Sequence, residues 1–238
     1  MASTFNEMLD TVEEVFIHEK QFSSDVSHEL RTPITVILAQ SDYALQYSDT
    51  LEETKESLEV INRHAKRMTN LINQIMELSK LERQKEIEKE KINLSNIVLQ
   101  LLEDYKPLLE SKNLNLIYNV EKDIRIQGNK IMLEREFLNI LMNAVKFTKT
   151  NIEVSLTREG KTAVLKIRDD GIGISEENKK FIWERFYQVN DSRNKEENKG
   201  SGLGLSMVKK IVDLHSATID LESEIEQGTC FTIKFNMQ

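Results

Sequence analysis

Apolar residues recur at helical spacing through the first third of the chain. Phe5, Leu9, Val12, Phe16, Val26 and Leu30, then Ile34, Ile37, Leu38 and Leu45, fall three or four apart or in multiples of that spacing, which predicts one long helix from about Thr4 to Tyr47. The polar turn Tyr47-Ser48-Asp49-Thr50 stops it, and Thr50 with Glu53 three residues on makes a capping box for a second helix. That helix runs from about Leu51 to Glu82, with Leu58, Ile61, Met68, Leu71, Ile75, Leu78 and Leu81 along one side, close to a heptad stripe. Two antiparallel helices cannot cover both stripes, whereas two hairpins paired into a four-helix bundle can. A homodimer through residues 4–88 is therefore expected, with a monomeric hairpin lying on its own second domain as the alternative.

Residues 82–91 are a charge run almost without core candidates, suited to a hinge that few contacts cross. Beyond it the period changes. Strands are predicted at Ile92–Leu94, Leu114–Val120, Ile124–Gln127, Ile152–Thr157, Ala163–Arg168, Ala217–Glu222 and Thr229–Phe235. Helices are predicted at Ser95–Ser111, Lys130–Phe147 and Leu203–His215. Strands and helices mix without strict alternation, so the fold class is α + α/β: a helical hairpin forming a dimeric four-helix bundle, then an α/β sandwich with a mixed sheet and helices on one face.

Composition narrows the function classes. Of 238 residues, 30 % are charged and the formal net charge is −8, which argues against a nucleic-acid surface. Cys230 is the single cysteine, so no internal disulfide forms, as suits a reducing compartment. No run of eighteen apolar residues exists to span a membrane, and no signal peptide is seen.

One turn of the first helix carries candidate chemistry. His28 lies about 200° around the helix from both Val26 and Leu30, so its imidazole points away from the buried stripe. Glu29 is its neighbour and could accept a ring proton; Arg31 and Thr32 share its face one turn on. Pro33 removes a backbone donor, yet periodicity continues beyond it, so a bend is expected rather than a stop. An exposed histidine or a helix-ending proline would be the plainer reading of each alone.

Four pieces of the second domain hold polar groups where a core would want apolar ones. Glu136, Asn139, Asn143 and Lys146 form a polar stripe on a helix whose other side is Leu133, Phe137, Ile140, Leu141 and Ala144. Each alone reads as the wet face of an amphipathic helix, but amide oxygens are also ligands for Mg²⁺ shared with phosphates. Asp169-Asp170-Gly171-Ile172-Gly173 follows a strand; its glycines let the backbone approach a flat ligand, and its carboxylate can accept from an adenine amino group. Gly200-Ser201-Gly202-Leu203-Gly204-Leu205 opens a helix and can offer N–H groups to phosphate, although it is neither a Walker loop nor a dinucleotide fingerprint. Phe181-Ile182-Trp183-Glu184-Arg185-Phe186 sets aromatics beside an arginine, and the polar Tyr187–Lys199 stretch after it reads as a mobile lid.

The stretch Phe22–Pro33 resembles the phospho-acceptor box of sensor histidine kinases of two-component systems. The other four pieces resemble, in order, the N, G1, F and G2 boxes of the histidine kinase ATP domain, shared with gyrase- and Hsp90-type ATPases. The resemblance implies a dimerisation and histidine phosphotransfer domain over residues 1–88 and a catalytic ATP-binding domain over 89–238. It implies His28 as phosphoryl acceptor from ATP, Glu29 as base and Thr32 as the residue of a phosphatase activity. It implies Asn143 as Mg²⁺ ligand, Asn139 and Lys146 near the phosphates, Phe147 against the purine, and Asp169 reading adenine above Gly171 and Gly173. Arg185 would help neutralise the γ-phosphate, and Gly200, Gly202, Leu203 and Gly204 would hold the phosphate chain. The implied partners are a second copy of the chain and the receiver domain of a response regulator. Phe5-Asn6-Glu7-Met8-Leu9 resembles the end of a signalling linker, so a cytoplasmic portion of a membrane-anchored sensor is expected, joined to the membrane only through a preceding segment. Two departures stand out: Asn129 and Asp170, where the family often has Asp and Asn. The extra charge of Asp170 is expected to weaken ATP slightly. A domain-moving ATPase and a non-catalytic scaffold are the competing classes. The first would lack the His28 turn; the second would not need Asn143, Asp169 and Gly202.

Overall fold

The computed structural model describes residues 2–189 and 200–237, with side chains from residue 20 onward. Two compact units emerge, one ending at Met76 and the other beginning at Glu77.

The first unit is a helical hairpin. Helix α1 spans Ala2–Gln46 and runs through Pro33, which is buried, so the proline does not end it. Helix α2 spans Leu51–Arg83. Between them the Thr50 hydroxyl accepts from the Glu53 N–H at 3.2 Å, while the Glu53 carboxylate takes the Asp49 N–H at 3.0 Å. This is the capping box with its return bond displaced by one residue. Within the hairpin's described side chains, only Pro33, Ser57 and Leu71 are buried. Leu38, Leu45, Leu51, Leu58 and Met76 are each more than half exposed. Among its described side chains the hairpin thus has almost no core, and the apolar stripes they form are open.

The second unit begins with the last two turns of α2, whose Leu78 and Leu81 are buried. Strand β1 (Glu90–Asn93) pairs antiparallel with β3 (Arg125–Gly128) in a small two-stranded sheet. A five-stranded sheet has the order β2-β4-β5-β7-β6. Its strands are β2 (Asn115–Val120), β4 (Asn151–Glu159), β5 (Thr162–Asp169), β6 (Thr218–Glu224) and β7 (Gly228–Asn236). β2 and β4 are parallel and the other pairs antiparallel, so the sheet is mixed. Along β5, Leu165, Ile167 and Asp169 are buried while Lys166 and Arg168 are exposed, the alternation of a sheet covered on one face.

Helices α3 (Leu94–Ser111), α4 (Lys130–Phe147) and α6 (Gly204–Leu214) supply that cover. Val98, Leu102, Phe137, Ile140, Leu141, Val208 and Val212 join Ile152, Leu156, Ile167 and Phe231 in one core. Asparagines cap two of the helices: Asn93 accepts from Asn96 N–H at the start of α3, and Asn129 from Met132 N–H at the start of α4. A short helix α5 (Glu176–Lys179), unpredicted, lies between β5 and the aromatic stretch. The lid expected at Tyr187–Lys199 falls, from residue 190 on, outside the described residues. No helix among the described residues is long and apolar enough to cross a membrane.

Candidate functional site

His28 is exposed on α1, with Glu29 and Leu30 half-buried and Arg31 and Thr32 exposed beside it. The imidazole is open to an incoming reactant, as the helical phase predicts. Two turns around it carry side-chain bonds back to the helix: Ser27 donates to the Ser23 carbonyl at 2.8 Å and Thr35 to that of Arg31 at 2.9 Å. Pro33 leaves the Glu29 carbonyl without its helical donor.

In the second unit, α4 is the spine of the candidate cleft. Asn139, Asn143, Lys146 and Phe147 are all half-buried along its C-terminal half. Glu136 departs from the stripe: only 1 % of it is exposed, and its Oε2 has no hydrogen-bond partner among the described residues. It faces the interior rather than water, and burial pushes its carboxyl well above the usual range. The Lys146 ammonium sits 4.6 Å from the centre of the Phe147 ring.

Both glycine segments close on this helix. A Cβ on Gly171 would lie 2.2 Å from the Phe147 carbonyl oxygen, so the 169–173 turn can lie against the end of α4 only with glycine there. Gly204, the first residue of α6, abuts Asn139: a Cβ there would be 3.0 Å from Oδ1. A Cβ on Gly200 would come within 3.4 Å of Lys146 Nζ. Gly202 has φ +72° and packs on the backbone of Phe186, whose N–H donates to its carbonyl at 3.1 Å. Leu203 is fully buried and anchors the start of α6. Gly173, φ +71°, passes against the Glu224 carbonyl.

Asp169 lies at the bottom of this arrangement, 6 % exposed, with Oδ1 accepting from Gly171 N–H at 2.8 Å. Burial pushes its pKa up to about 6, against the opposing effect of N–H donors from Gly171 and Thr229. An ionised carboxylate has about four lone-pair sites, so with these two donors Asp169 keeps acceptor capacity for a ligand amino group.

Asp170 has a different task. Its carboxylate accepts from the Thr148 hydroxyl at 2.6 Å, from the N–H groups of Lys149, Thr150 and Asn151, and from Asn151 Nδ2 at 2.8 Å. Desolvation works against its ionisation, yet these donors together hold the carboxyl far below its ordinary range. Asp170 therefore builds the loop between α4 and β4. Arg185 is half-buried and forms an ion pair with Glu82 near the end of α2, Nη2 to Oε1 2.5 Å. Asp170 and Glu82 were not legible as structural partners, because their contacts join segments far apart in sequence.

Comparison with known proteins places this geometry. Residues 18–84 match the His Kinase A (phospho-acceptor) domain. Residues 128–238 match the histidine kinase-, DNA gyrase B- and HSP90-like ATPase family. The chain is 35 % identical to sensor histidine kinase YkoH of Bacillus subtilis over 247 residues, spanning 100 % of this chain and 52 % of YkoH. It is 32 % identical to signal transduction histidine-protein kinase ArlS of Staphylococcus aureus over 239 residues, 99 % of this chain and 52 % of ArlS. The chain thus spans about half the length of these curated relatives. Among solved structures, histidine kinase ThkA in complex with response regulator protein TrrA shares the fold at TM-score 0.75 and 21 % identity, covering 92 % of this chain and 61 % of that one. Acinetobacter baumannii histidine kinase AdeS does so at TM-score 0.68 and 22 % identity, covering 89 % of this chain and 98 % of that one. With a phospho-acceptor helix followed by an ATPase-type sandwich, the chain belongs to the sensor histidine kinase family and carries the catalytic core of that family.

Proposed function

We propose that the chain autophosphorylates His28 from ATP and passes the phosphoryl group to an aspartate of a response-regulator receiver domain. The observation that carries this reading is that the chain has both an exposed imidazole on α1 and two glycine segments, 169–173 and 200–204, that approach α4 through Gly171, Gly200 and Gly204. In the first step the neutral imidazole nitrogen attacks the γ-phosphorus, the bond to the bridging oxygen of ADP breaks, and Glu29 takes the ring proton. Transfer of this kind is chiefly positioning and charge neutralisation.

The residues present fit the nucleotide. Gly171 and Gly204 let the two glycine segments approach Phe147 and Asn139 of α4 closely, and Asp169 offers a buried acceptor for an adenine amino group. Among the described residues no cluster of three or more acidic, histidine or cysteine side chains could hold a metal by itself. Mg²⁺ would accordingly be held by Asn143 together with the phosphates, and would offset their charge. Asn139, Lys146 and the Gly200–Gly204 backbone would line the phosphate chain, and Phe147 the purine. Arg185 would join the γ-phosphate only after leaving Glu82.

We assign Thr32 to dephosphorylation of the regulator, residues 1–88 to dimerisation and phosphotransfer, and residues 89–238 to ATP binding. The four-helix bundle of two chains follows from the open stripes of the hairpin. This core would lie on the cytoplasmic side of a membrane-anchored sensor, a reading with which its span of about half the length of its relatives is compatible.

The test is labelling with γ-labelled ATP, wild type against His28→Gln, followed by acid and alkali treatment. An acid-labile, alkali-stable label absent from the variant supports the assignment. Label retained in His28→Gln places the acceptor elsewhere, and free phosphate released without protein label favours a domain-moving ATPase.

A further inference from the structure

His215 closes α6 at its C-terminal end, buried to 8 % exposure. Its Nδ1 lies 2.8 Å from the Ile211 carbonyl oxygen, and its Nε2 lies 3.0 Å from the backbone nitrogen of Asn129. A carbonyl can only accept and an amide N–H can only donate. The two neighbours therefore fix one tautomer, Nδ1–H and bare Nε2. Asn129 is the N-cap of α4: its side-chain oxygen takes Met132 N–H at 3.2 Å and its Nδ2 donates to the Glu88 carbonyl at 3.4 Å. The ring is seated so closely that a Cβ on Gly128 would lie 3.1 Å from Cδ2 and 3.2 Å from Nε2.

The neutral ring thus joins the end of α6 to the beginning of α4. The same two helices meet again where α6 begins, Gly204 abutting Asn139 midway along α4, where the candidate phosphate site lies. We infer that His215 is a positioning residue for nucleotide binding: as a neutral acceptor it holds the α4 N-cap and so fixes where α4 presents Asn139, Asn143 and Lys146. Nothing in the phosphoryl-transfer assignment above uses this residue, although the inference rests on reading the cleft as a nucleotide site.

Protonating Nε2 would set a donor against the Asn129 N–H and break the join. The groups around the ring are Ile211 from α6, Gly128 and Asn129 at the start of α4, and the charged Lys89 from the segment before β1. Burial lowers the imidazole pKa, and the Lys89 charge adds to this against the Ile211 carbonyl, so the neutral form persists to lower pH than in a free histidine.

The test uses the whole 238-residue chain, ¹⁵N-labelled. In nucleotide-free protein, ring ¹⁵N shifts should show the Nδ1–H tautomer, and the Asn129 amide signal should titrate with the ring's midpoint. His215→Phe keeps a ring but removes the acceptor, and should weaken binding of a non-hydrolysable ATP analogue with Mg²⁺ by about tenfold at pH 7.5. His215→Gln can return an uncharged acceptor to Asn129; it should restore most of that affinity and make the fall toward pH 5.5 shallower than in wild type, leaving the part that Asp169 contributes. An Nε2–H tautomer, an Asn129 amide indifferent to the ring's titration, or His215→Phe binding the analogue as wild type does would overturn the inference. If His215→Phe does not fold, the wild-type titration and the His215→Gln pH profile decide it. Wild type that binds no analogue at all would sink the nucleotide reading instead, while the ring and amide signals still report on the clamp.

Discussion

Asp169 and Gly171 are joined by a buried hydrogen bond, Gly171 N–H to Asp169 Oδ1 at 2.8 Å. The bond holds the glycine turn over the carboxylate; Thr229 N–H is a second backbone donor, and the ionised group keeps lone pairs beyond these two for a ligand. With burial raising the pKa to about 6, the folded protein takes up the Asp169 proton well before an unfolded chain would. Two pH dependences of opposite sign follow. Stability that the protonated form contributes is fully present below the unfolded pKa near 4 and is lost as pH rises through about 6, a cost of up to about 3 kcal/mol. Affinity for adenine nucleotide needs the ionised acceptor, so it should fall about tenfold per pH unit below 6. Chemical denaturation of wild type against Asp169→Asn from pH 4 to 8 checks the first. Analogue titration in the His215→Gln background, free of the imidazole's titration, checks the second. Affinity unchanged between pH 7 and 5 would remove Asp169 from its role.

Gly171→Ala places a methyl group 2.2 Å from the Phe147 carbonyl oxygen and 2.6 Å from Asp169 Oδ1. The Phe147 carbonyl is backbone and cannot turn aside, so the end of α4 and the 169–173 turn must separate. Overpacking of this kind costs about 1–3 kcal/mol. Each kcal/mol lowers the melting midpoint of a unit this size by about 2–4 °C. Analogue affinity should fall more than Gly160→Ala lowers it, since Gly160 has positive φ but open space around it and lies in the β4–β5 turn. Equal effects of the two substitutions on affinity would mean that the close approach does not shape the cleft.

Asp170→Asn tests the loop between α4 and β4. The carboxylate receives five donated hydrogen bonds, two of them from Asn151 on Oδ2. An amide in its place sets its own N–H groups against some of those donors, so stability at pH 7 should drop by about 1–3 kcal/mol. Because the folded carboxyl is held below its ordinary range, its contribution is present above the unfolded pKa near 4 and is lost as pH falls further. The gap between wild type and variant should therefore close in strong acid. Analogue affinity per folded molecule should change little, since the carboxylate is spent on the loop; a gain of tenfold or more would mean that its charge repels the phosphates, as the sequence reading supposed.

Much of this was legible before any coordinates. The α4 boundaries, Lys130–Phe147, followed from the period of Leu133, Phe137, Ile140 and Leu141, and the structure reproduces them. Alternation placed β5 and the glycine turn after it. What periodicity could not separate was Glu136 from Asn139: both fall on the polar stripe, yet α4 turns the first inward and the second to Gly204. The stripe is wider than the cleft, and only the position of the neighbouring helix divides it. The partners of Asp170, His215 and Arg185 were equally hidden. Each is held across a separation of some twenty to a hundred residues, and no local pattern encodes which loop will supply a donor. The resemblance to histidine kinases names candidate residues for the ligand, and the side chains that hold those candidates in place are read only from the fold.

Thr32 and His28 lie four residues apart on α1, and both are exposed. Removing the Thr32 hydroxyl should leave autophosphorylation of His28 within about twofold, because an exposed helical Thr→Ala change alters stability by only a few tenths of a kcal/mol. Dephosphorylation of a phosphorylated receiver domain should slow by tenfold or more, since misplacing a reacting group by about 1 Å can cost on the order of 10²-fold. Parallel time courses of label on the chain and label lost from the receiver measure both. Unchanged dephosphorylation in Thr32→Ala would remove the residue from that role.

The hairpin's described apolar stripe is uncovered. Leu58 is 57 % exposed and Leu38 58 %, on a unit whose described side chains bury little besides Leu71. Covering such side chains contributes about 1.5–3 kcal/mol apiece, and a two-fold bundle would cover each of them twice. Leu58→Glu puts a charge on that stripe in both subunits at once, and burying unpaired charge costs several kcal/mol. Sedimentation equilibrium should find wild type dimeric at micromolar concentration and Leu58→Glu shifted to monomer. Analogue affinity should be retained, because the cleft is built from residues of the second unit. A dimer that survives Leu58→Glu and a Leu38→Glu counterpart would put the contact between subunits somewhere other than these helices.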